Sequence, residues 1–321
     1  MSGLRPSVLP LVGACWVLLV SSALAQRPVQ DVPARVNGES VTRLEVERVL
    51  REAFRDRPLA EEAKAQAEAA ALDQAINRRL VLNWLQSQRL AATPDEIQEA
   101  YDEFVRSLEF QQVTLADYLE REKLTEDLLR RAISWDIAWG RYIRQQLTIP
   151  AREAYFEEHR RQFDGTRLRV SHILLGDTET DLQARQAQSV DIHRRLTAGE
   201  ITFEVAVSEF STGTKENGGD LGFIERRGSM PEPFSSAAFD LEVGEISDPV
   251  VTPFGVHIIQ VTEIEEGKKE LKDVVTAVDQ AMTRNVLADL VKKLRAEAKL
   301  EFTGGMPYFD PETGELVQSG G

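Results

Sequence analysis

The sequence predicts an α+β protein in which a helical module is interrupted by a small inserted sheet domain. Three observations predict it. Residues from about 42 to 163 are patterned almost throughout for helix, whereas residues 167 to 264 alternate strand-like and helical stretches and end in a hairpin. Residues 268 to 299 then return to a helical stripe of Leu271, Val274, Val278, Met282, Leu287, Leu290 and Leu294. A single helix cannot bury such a stripe alone, so it is expected to pack on the amino-terminal helices.

Taken in order, Arg35 to Thr42 reads as a short hairpin about Asn37-Gly38, a dipeptide that tolerates positive φ. Thr42 and Glu45 form a capping box that starts a helix. Leu72, Ile76 and Leu80 share one helical stripe, as do Ile97, Tyr101, Phe104 and Leu108, and the alanine-rich stretch 60–71 is simply good helix former. Thr93-Pro94-Asp95-Glu96 is a further start signal, with Thr93 as cap and acids facing the macrodipole. Thr148-Ile149-Pro150 marks a boundary, followed by a connector helix from Glu153 to Phe163. The inserted domain then reads as a strand at 167–175, helices at 181–197 and 202–210, a glycine-rich loop, a short strand near 221–225, a short helix around 234–240, and strands at 247–252 and 255–264. The stretch 304–321, rich in glycine and charge, is expected to be mobile.

Composition excludes several classes of function. The chain has 321 residues, enough for two or three domains, and carries a formal charge of −15, which repels phosphate backbones and anionic lipid surfaces. Nucleic acid is not an expected partner. The first 25 residues read as a secretory signal: Arg5, an apolar run from Val8 to Val20, then the cleavage site Ala23-Leu24-Ala25. That run is shorter than the ~18 residues of a spanning helix, so cleavage before Gln26 is expected, with no stable membrane insertion afterwards. The only cysteine, Cys15, leaves with the signal. Thiol catalysis and thiolate metal sites are thereby excluded, and the absence of disulfides is compatible with an oxidising extracytoplasmic space. No His-Glu-x-x-His, no Gly-x-Ser-x-Gly and no P-loop occurs, so neither a metal nor any other cofactor is expected.

Four histidines remain to be placed. His159 and His193 sit among charges on predicted helices, which makes them surface residues. His172 shares a strand face with Leu168, Val170 and Leu174, and His257 shares one with Ile259 and Val261, because side chains alternate along a strand. Both rings should therefore point into an apolar interior, one from each outer strand segment of the domain. For one such histidine a hydrogen-bonded core role would suffice; two placed alike favour a pair. Met230 lies in a turn-like Gly-Ser-Met-Pro segment, where a core residue is less usual than a pocket residue. Trp84, Trp135 and Trp139 all fall in the helical region and are read as core.

The ordered set Arg169-Val170-Ser171-His172-Ile173-Leu174-Leu175, Gly218-Gly219-Asp220-Leu221-Gly222, Met230 with Phe234, and Gly255-Val256-His257-Ile258-Ile259 resembles the parvulin family of peptidyl-prolyl cis-trans isomerases. The resemblance spans almost a hundred consecutive positions. It implies a four-stranded antiparallel sheet wrapped by helices, with His172 and His257 as neighbours at the base of the site and Thr252 at the hydroxyl position that holds their tautomers. It also implies a proline pocket of Leu221, Met230 and Phe234. Active parvulins carry Cys or Asp just after the Ser of the segment Phe210-Ser211-Thr212-Gly213-Thr214-Lys215; here Gly213 or Thr212 fills that place, leaving Thr212, Thr214, Glu209 or Glu216 as substitutes. The loop 176–181 carries three acids where phosphate-selective parvulins carry basic residues, so no phosphopeptide selectivity is expected.

A helical region, a parvulin domain and a closing helix together are similar to the exported SurA, PpiC and PrsA foldases. The expected division is a signal at 1–25, a helical chaperone-like domain at 26–163, the parvulin domain at 164–266, a closing helix at 267–303 packed on the amino-terminal module, and the tail at 304–321. The expected activity is isomerisation of X-Pro bonds in unfolded or partly folded exported polypeptides, in the periplasm or another extracytoplasmic space. The alternative is a chaperone whose parvulin domain binds extended or proline-containing segments without turnover.

Overall fold

The computed structural model describes residues 32–54, 60–176, 182–213 and 215–318. The stretch read as a signal sequence, most of the acidic loop (177–181), Thr214 and the last three residues lie outside these. The chain forms two compact units, one of residues up to Arg79 with those from Ala298 onward, the other of Leu80–Glu297.

Along the chain, β1 (Ala34–Val36) and β2 (Glu39–Val41) make the hairpin predicted about Asn37-Gly38. Both turn residues take positive φ, 51° and 86°, the geometry that matches strand twist in a two-residue turn. Helix α1 (Arg43–Phe54) starts at the Thr42 box, where the Glu45 carboxylate accepts the Thr42 N–H at 2.8 Å and the Glu45 N–H donates to Thr42 Oγ1 at 3.3 Å. Helix α2 (Glu61–Ser87) buries Leu72, Ile76 and Leu80. Helix α3 (Pro94–Phe110) begins with the complete Thr93–Glu96 box and buries Tyr101 and Leu108, followed by α4 (Leu115–Arg121) and α5 (Glu126–Gln146). Helix α6 (Ile149–Glu158) starts four residues earlier than the sequence suggests, because Thr148 caps it and Pro150 fits its first turn. It gives way to a 3-10 turn at Arg160–Gln162.

Next come β3 (Arg167–Leu175), α7 (Leu182–Thr197), α8 (Phe203–Phe210), a 3-10 turn at Lys215–Asn217, β4 (Asp220–Glu225), α9 (Glu232–Phe239), β5 (Val250–Thr252) and β6 (Gly255–Glu265). These four strands form one antiparallel sheet in the order β4-β3-β6-β5. One face carries Ile173, Leu175, Val256 and Ile258 against α7 and α8; the other carries Leu168, Val170, Ile259 and Val261 against α9. Strand β5 is shorter than the predicted 247–252, because Ser247 reaches β6 with its hydroxyl, which accepts the Ile259 N–H at 3.0 Å.

Helix α10 (Leu271–Glu297) carries the predicted stripe and divides it between two clusters. Val278 and Met282 pack with Phe156 and Phe163; Leu290 packs with Val81, Leu85 and Ala138, with Trp84, Trp135 and Trp139 alongside. Arg152 adds a two-point ion pair to Asp279, Nε to Oδ1 at 2.5 Å and Nη2 to Oδ2 at 3.0 Å.

Two expectations for the end of the chain are corrected. Residues 300–302 are not helix but strand β7 (Leu300–Phe302), antiparallel to β1 in a three-stranded sheet β2-β1-β7. The stretch expected to be mobile contains the hairpin of β8 (Tyr308–Phe309) and β9 (Leu316–Val317). Burial of Met306 and stacking of Tyr308 on Phe302, centroids 4.1 Å apart, give it an apolar anchor that composition does not reveal.

Because Leu290 is buried among three helices, Leu290→Ala should lower the unfolding free energy by about 2–5 kcal/mol. Phe110→Ala, at a side chain 92% exposed, should change it by less than about 0.5 kcal/mol. Urea titration of both variants checks this, and equal losses would contradict the assignment of the core.

Candidate active site

His172 and His257 lie on β3 and β6, the first and last strands of the domain in chain order and the two central strands of its sheet. The register pairs His172 with Ile259 and Leu174 with His257, so the histidines are diagonal neighbours on one face of the sheet. Their rings are buried and nearly stacked, centroids 5.4 Å apart at 29°, with Nδ1 facing Nδ1 at 3.2 Å. Thr252, at the end of β5, places Oγ1 2.8 Å from His257 Nε2 and accepts the Phe254 N–H at 3.1 Å. All three residues therefore form one buried chain of hydrogen bonds.

An Nδ1···Nδ1 contact can hold only one proton between the two nitrogens. Charging both rings would set two N–H groups against each other. Each of the two neutral patterns, in which Thr252 donates to His257 or accepts from it, places that one proton on one Nδ1 or the other. Desolvation lowers His172 to a pKa of about 4, and desolvation together with the neighbouring imidazole does the same to His257. The pair is uncharged at neutral pH.

Phe234, projecting from α9 and 1% exposed, meets both imidazoles edge-on, at 6.0 Å from His172 and 5.3 Å from His257. Leu221 and Met230 are half-buried and pack against the same apolar cluster as Phe234. The six residues singled out from the sequence thus fall into two adjoining groups, a polar chain on the sheet and an apolar group on and beside α9.

Several neighbours were not visible as site residues. Gly219, at φ +82°, accepts the His172 N–H through its carbonyl at 2.9 Å; a Cβ there would lie 2.4 Å from the His172 carbonyl oxygen. Only glycine lets the loop come this close to the histidine strand. Arg226 and Glu232 bracket Met230 and join through two bonds, Nη1 to Oε2 at 2.6 Å and Nη2 to Oε1 at 2.8 Å. Opposite charges six residues apart across Gly-Ser-Met-Pro were the available signal. Arg169 holds Asp220, whose carboxylate accepts the Gly222 N–H and so fixes the backbone on both sides of Leu221.

At the position where active parvulins have a thiol or acid, the side chains are engaged with the backbone. Ser211 Oγ donates to the Gly213 carbonyl and accepts the Leu174 N–H; Thr212 Oγ1 donates to the Leu174 carbonyl and accepts the Gly176 N–H. Glu209 and Glu216 are exposed. Among the described residues, no cluster of three or more His, Cys, Asp or Glu is placed to hold a metal ion, and no helix is long and apolar enough to cross a membrane.

The folded pKa of about 4 lies below the ordinary value of 6.5, so the unfolded chain binds protons first as pH falls. This contribution to stability is complete above pH 6.5 and is lost progressively towards pH 4. Nitrogen-15 NMR of the rings should show both His172 and His257 neutral at pH 5.5; titration of either near 6.5 would contradict the buried neutral pair.

Comparison with known proteins matches two segments of the chain. Residues 172–263 match the PPIC-type PPIase domain and residues 8–143 the SurA-like N-terminal domain. The chain is similar to Foldase protein PrsA of Caldanaerobacter subterraneus subsp. tengcongensis, 29% identical over 272 residues that cover 76% of this chain and 78% of that protein. It is 32% identical over 182 residues to Foldase protein PrsA of Bacillus subtilis, covering 55% of this chain and 58% of that protein. Chaperone SurA of Burkholderia orbicola is 34% identical over 142 residues, 42% of this chain and 31% of that protein. The matched PPIC-type PPIase domain and the SurA-like segment before it make the chain similar, over both parts, to the PrsA and SurA foldases.

Proposed function

We propose that the chain catalyses cis-trans isomerisation of X-Pro bonds in unfolded exported polypeptides, with His172, His257 and Thr252 as the polar floor of the site and Leu221, Met230 and Phe234 as the grip on the prolyl ring. The observation that carries this reading is the uncharged His172–His257–Thr252 chain directly beneath the Phe234 ring.

Isomerisation breaks no covalent bond. Its barrier of about 18–20 kcal/mol is amide resonance, so the catalyst need only bind the twisted amide more tightly than either planar isomer. An apolar clamp on the ring and a poorly hydrated place for the carbonyl serve that end, because twisting ends the conjugation that puts negative charge on the carbonyl oxygen, so the twisted amide loses less on leaving water than either planar isomer. Neutral imidazoles locked in one tautomer pattern hold the floor rigid without placing a charge under the substrate. Their part is positioning; no proton is transferred. X-Pro bonds equilibrate over tens of seconds or longer without help, which makes them a slow step for any exported chain.

The remaining assignments belong to the same proposal. Residues 1–25 act as the export signal, giving a mature protein that begins at Gln26 and works outside the cytoplasm. Residues 26–163 serve as the chaperone-like domain, 164–266 as the isomerase, and 267–303 as the closing segment. The acids of the loop 176–181 disfavour phosphorylated clients. A non-catalytic binder is the second reading, favoured by one observation: Thr212, which with Gly213 stands where active parvulins carry a thiol or acid, has its hydroxyl engaged with backbone groups of Leu174 and Gly176.

A proline-containing tetrapeptide assay separates the two. Acceleration by the full-length chain, reduced about tenfold or more by Met230→Ala, corresponds to a loss of about 1.4 kcal/mol of transition-state binding and supports the enzyme. No acceleration by a folded wild-type chain that still suppresses client aggregation in light scattering would overturn turnover and leave the binder.

A further inference from the structure

We propose that a cleft outside the proline site, walled by Arg226, Arg227 and Arg284, receives the carboxylate of an acidic side chain in a bound polypeptide. The cleft has a volume of about 300 Å³ and lies where the turn after β4, the start of α9 and the middle of α10 face the 3-10 turn that follows α6. Three guanidinium groups meet one carboxylate there, Glu232. The protein as a whole is strongly acidic, so a local excess of two positive charges is not a sample of its average surface.

The arginines are not equivalent. Arg226 is mostly buried and has both terminal nitrogens on Glu232, while its Nε is buried without a hydrogen-bond partner. Arg227 and Arg284 are exposed, and among the described residues neither has a carboxylate of its own within ion-pair distance; both nonetheless lower the pKa of Glu232, which places their charge at the cleft. A guanidinium presents its donors in a planar fork that fits a carboxylate.

Three features favour a carboxylate on a peptide over a free inorganic anion. Phe163 and Ala281 supply an apolar wall that suits the methylene stem of Asp or Glu and gives nothing to a hydrated phosphate. Glu232 remains in the cleft, and its repulsion weighs more on a doubly charged phosphate than on a singly charged carboxylate. The exposed arginines leave the mouth open, so a chain can cross it. The cleft shares the segment 226–232 with Met230, so an acid held here would be anchored next to the loop that supplies part of the proline grip.

The assignment rests on the proposed function only in taking the client to be a polypeptide, and its test needs no proline and no turnover. The intact chain is titrated with a blocked eight-residue peptide containing one Glu and no Pro, with the same peptide carrying Gln, and with inorganic phosphate, while arginine Nε–H resonances are followed by NMR. The Glu peptide should shift the Arg226, Arg227 and Arg284 signals saturably and bind at least tenfold more tightly than the Gln peptide. Arg227→Gln combined with Arg284→Gln, both at exposed positions, should weaken it at least tenfold, and 0.5 M salt should do likewise. Equal binding of the Gln peptide, saturation by phosphate with the Glu peptide silent, or indifference to the double substitution in a folded chain would each overturn the proposal, whatever the isomerase assay shows.

Discussion

Two imidazole nitrogens 3.2 Å apart, on the two central strands of the sheet, can be neighbours only while the pair shares a single proton between them. That constraint organises what surrounds it. Desolvation keeps both rings neutral, Thr252 fixes the far nitrogen of His257, and the apolar side chains of the same face keep water away. Phe234 then has two flat neutral rings beneath it rather than a charge. A catalyst that works by shape and by a dry environment needs such a floor, because a charged one would draw in the water it has to exclude.

The devices around this floor are mostly hydrogen bonds that fix backbone. Gly219 brings its carbonyl onto the His172 amide, Asp220 holds the turn after Leu221, and the Arg226–Glu232 pair closes the loop containing Met230. Ser211 and Thr212 tie the segment after α8 to the end of β3. Each element that offers a side chain to the proposed site is thus pinned within a residue or two of it. Preorganisation of this kind costs little at the moment of binding, since the ordering is completed on folding.

Much of this was legible in the sequence because it depends on local rules. The Thr42 and Thr93 boxes, the Asn37-Gly38 turn and the stripe on α10 follow from capping, from positive-φ tolerance and from a 3.6-residue period, and the structure contains each of them. The inward facing of His172 and His257 follows from alternation along a strand. What alternation cannot supply is strand order. Along the chain the histidines stand on the first and last strand segments of the domain, and only pairing across the sheet puts those strands side by side at the centre. The ordered hairpin near the end of the chain escaped notice for a related reason. Glycine and charge dominate its composition, and its anchor, Met306 with Tyr308 on Phe302, depends on a strand pairing made far away in sequence.

That distant pairing has a consequence for how the molecule is completed. Asn37 exchanges hydrogen bonds with Lys299 across a separation of 262 residues, and β1 finds its second partner only in β7. During synthesis the hairpin of β1 and β2 must wait with one border unpaired until the 262 residues that separate Asn37 from Lys299 have appeared. Pairing across so long a loop slows folding, because its closure entropy is lost before the contacts reward it. A protein proposed to hasten the maturation of others therefore completes its own first sheet only when β7 arrives.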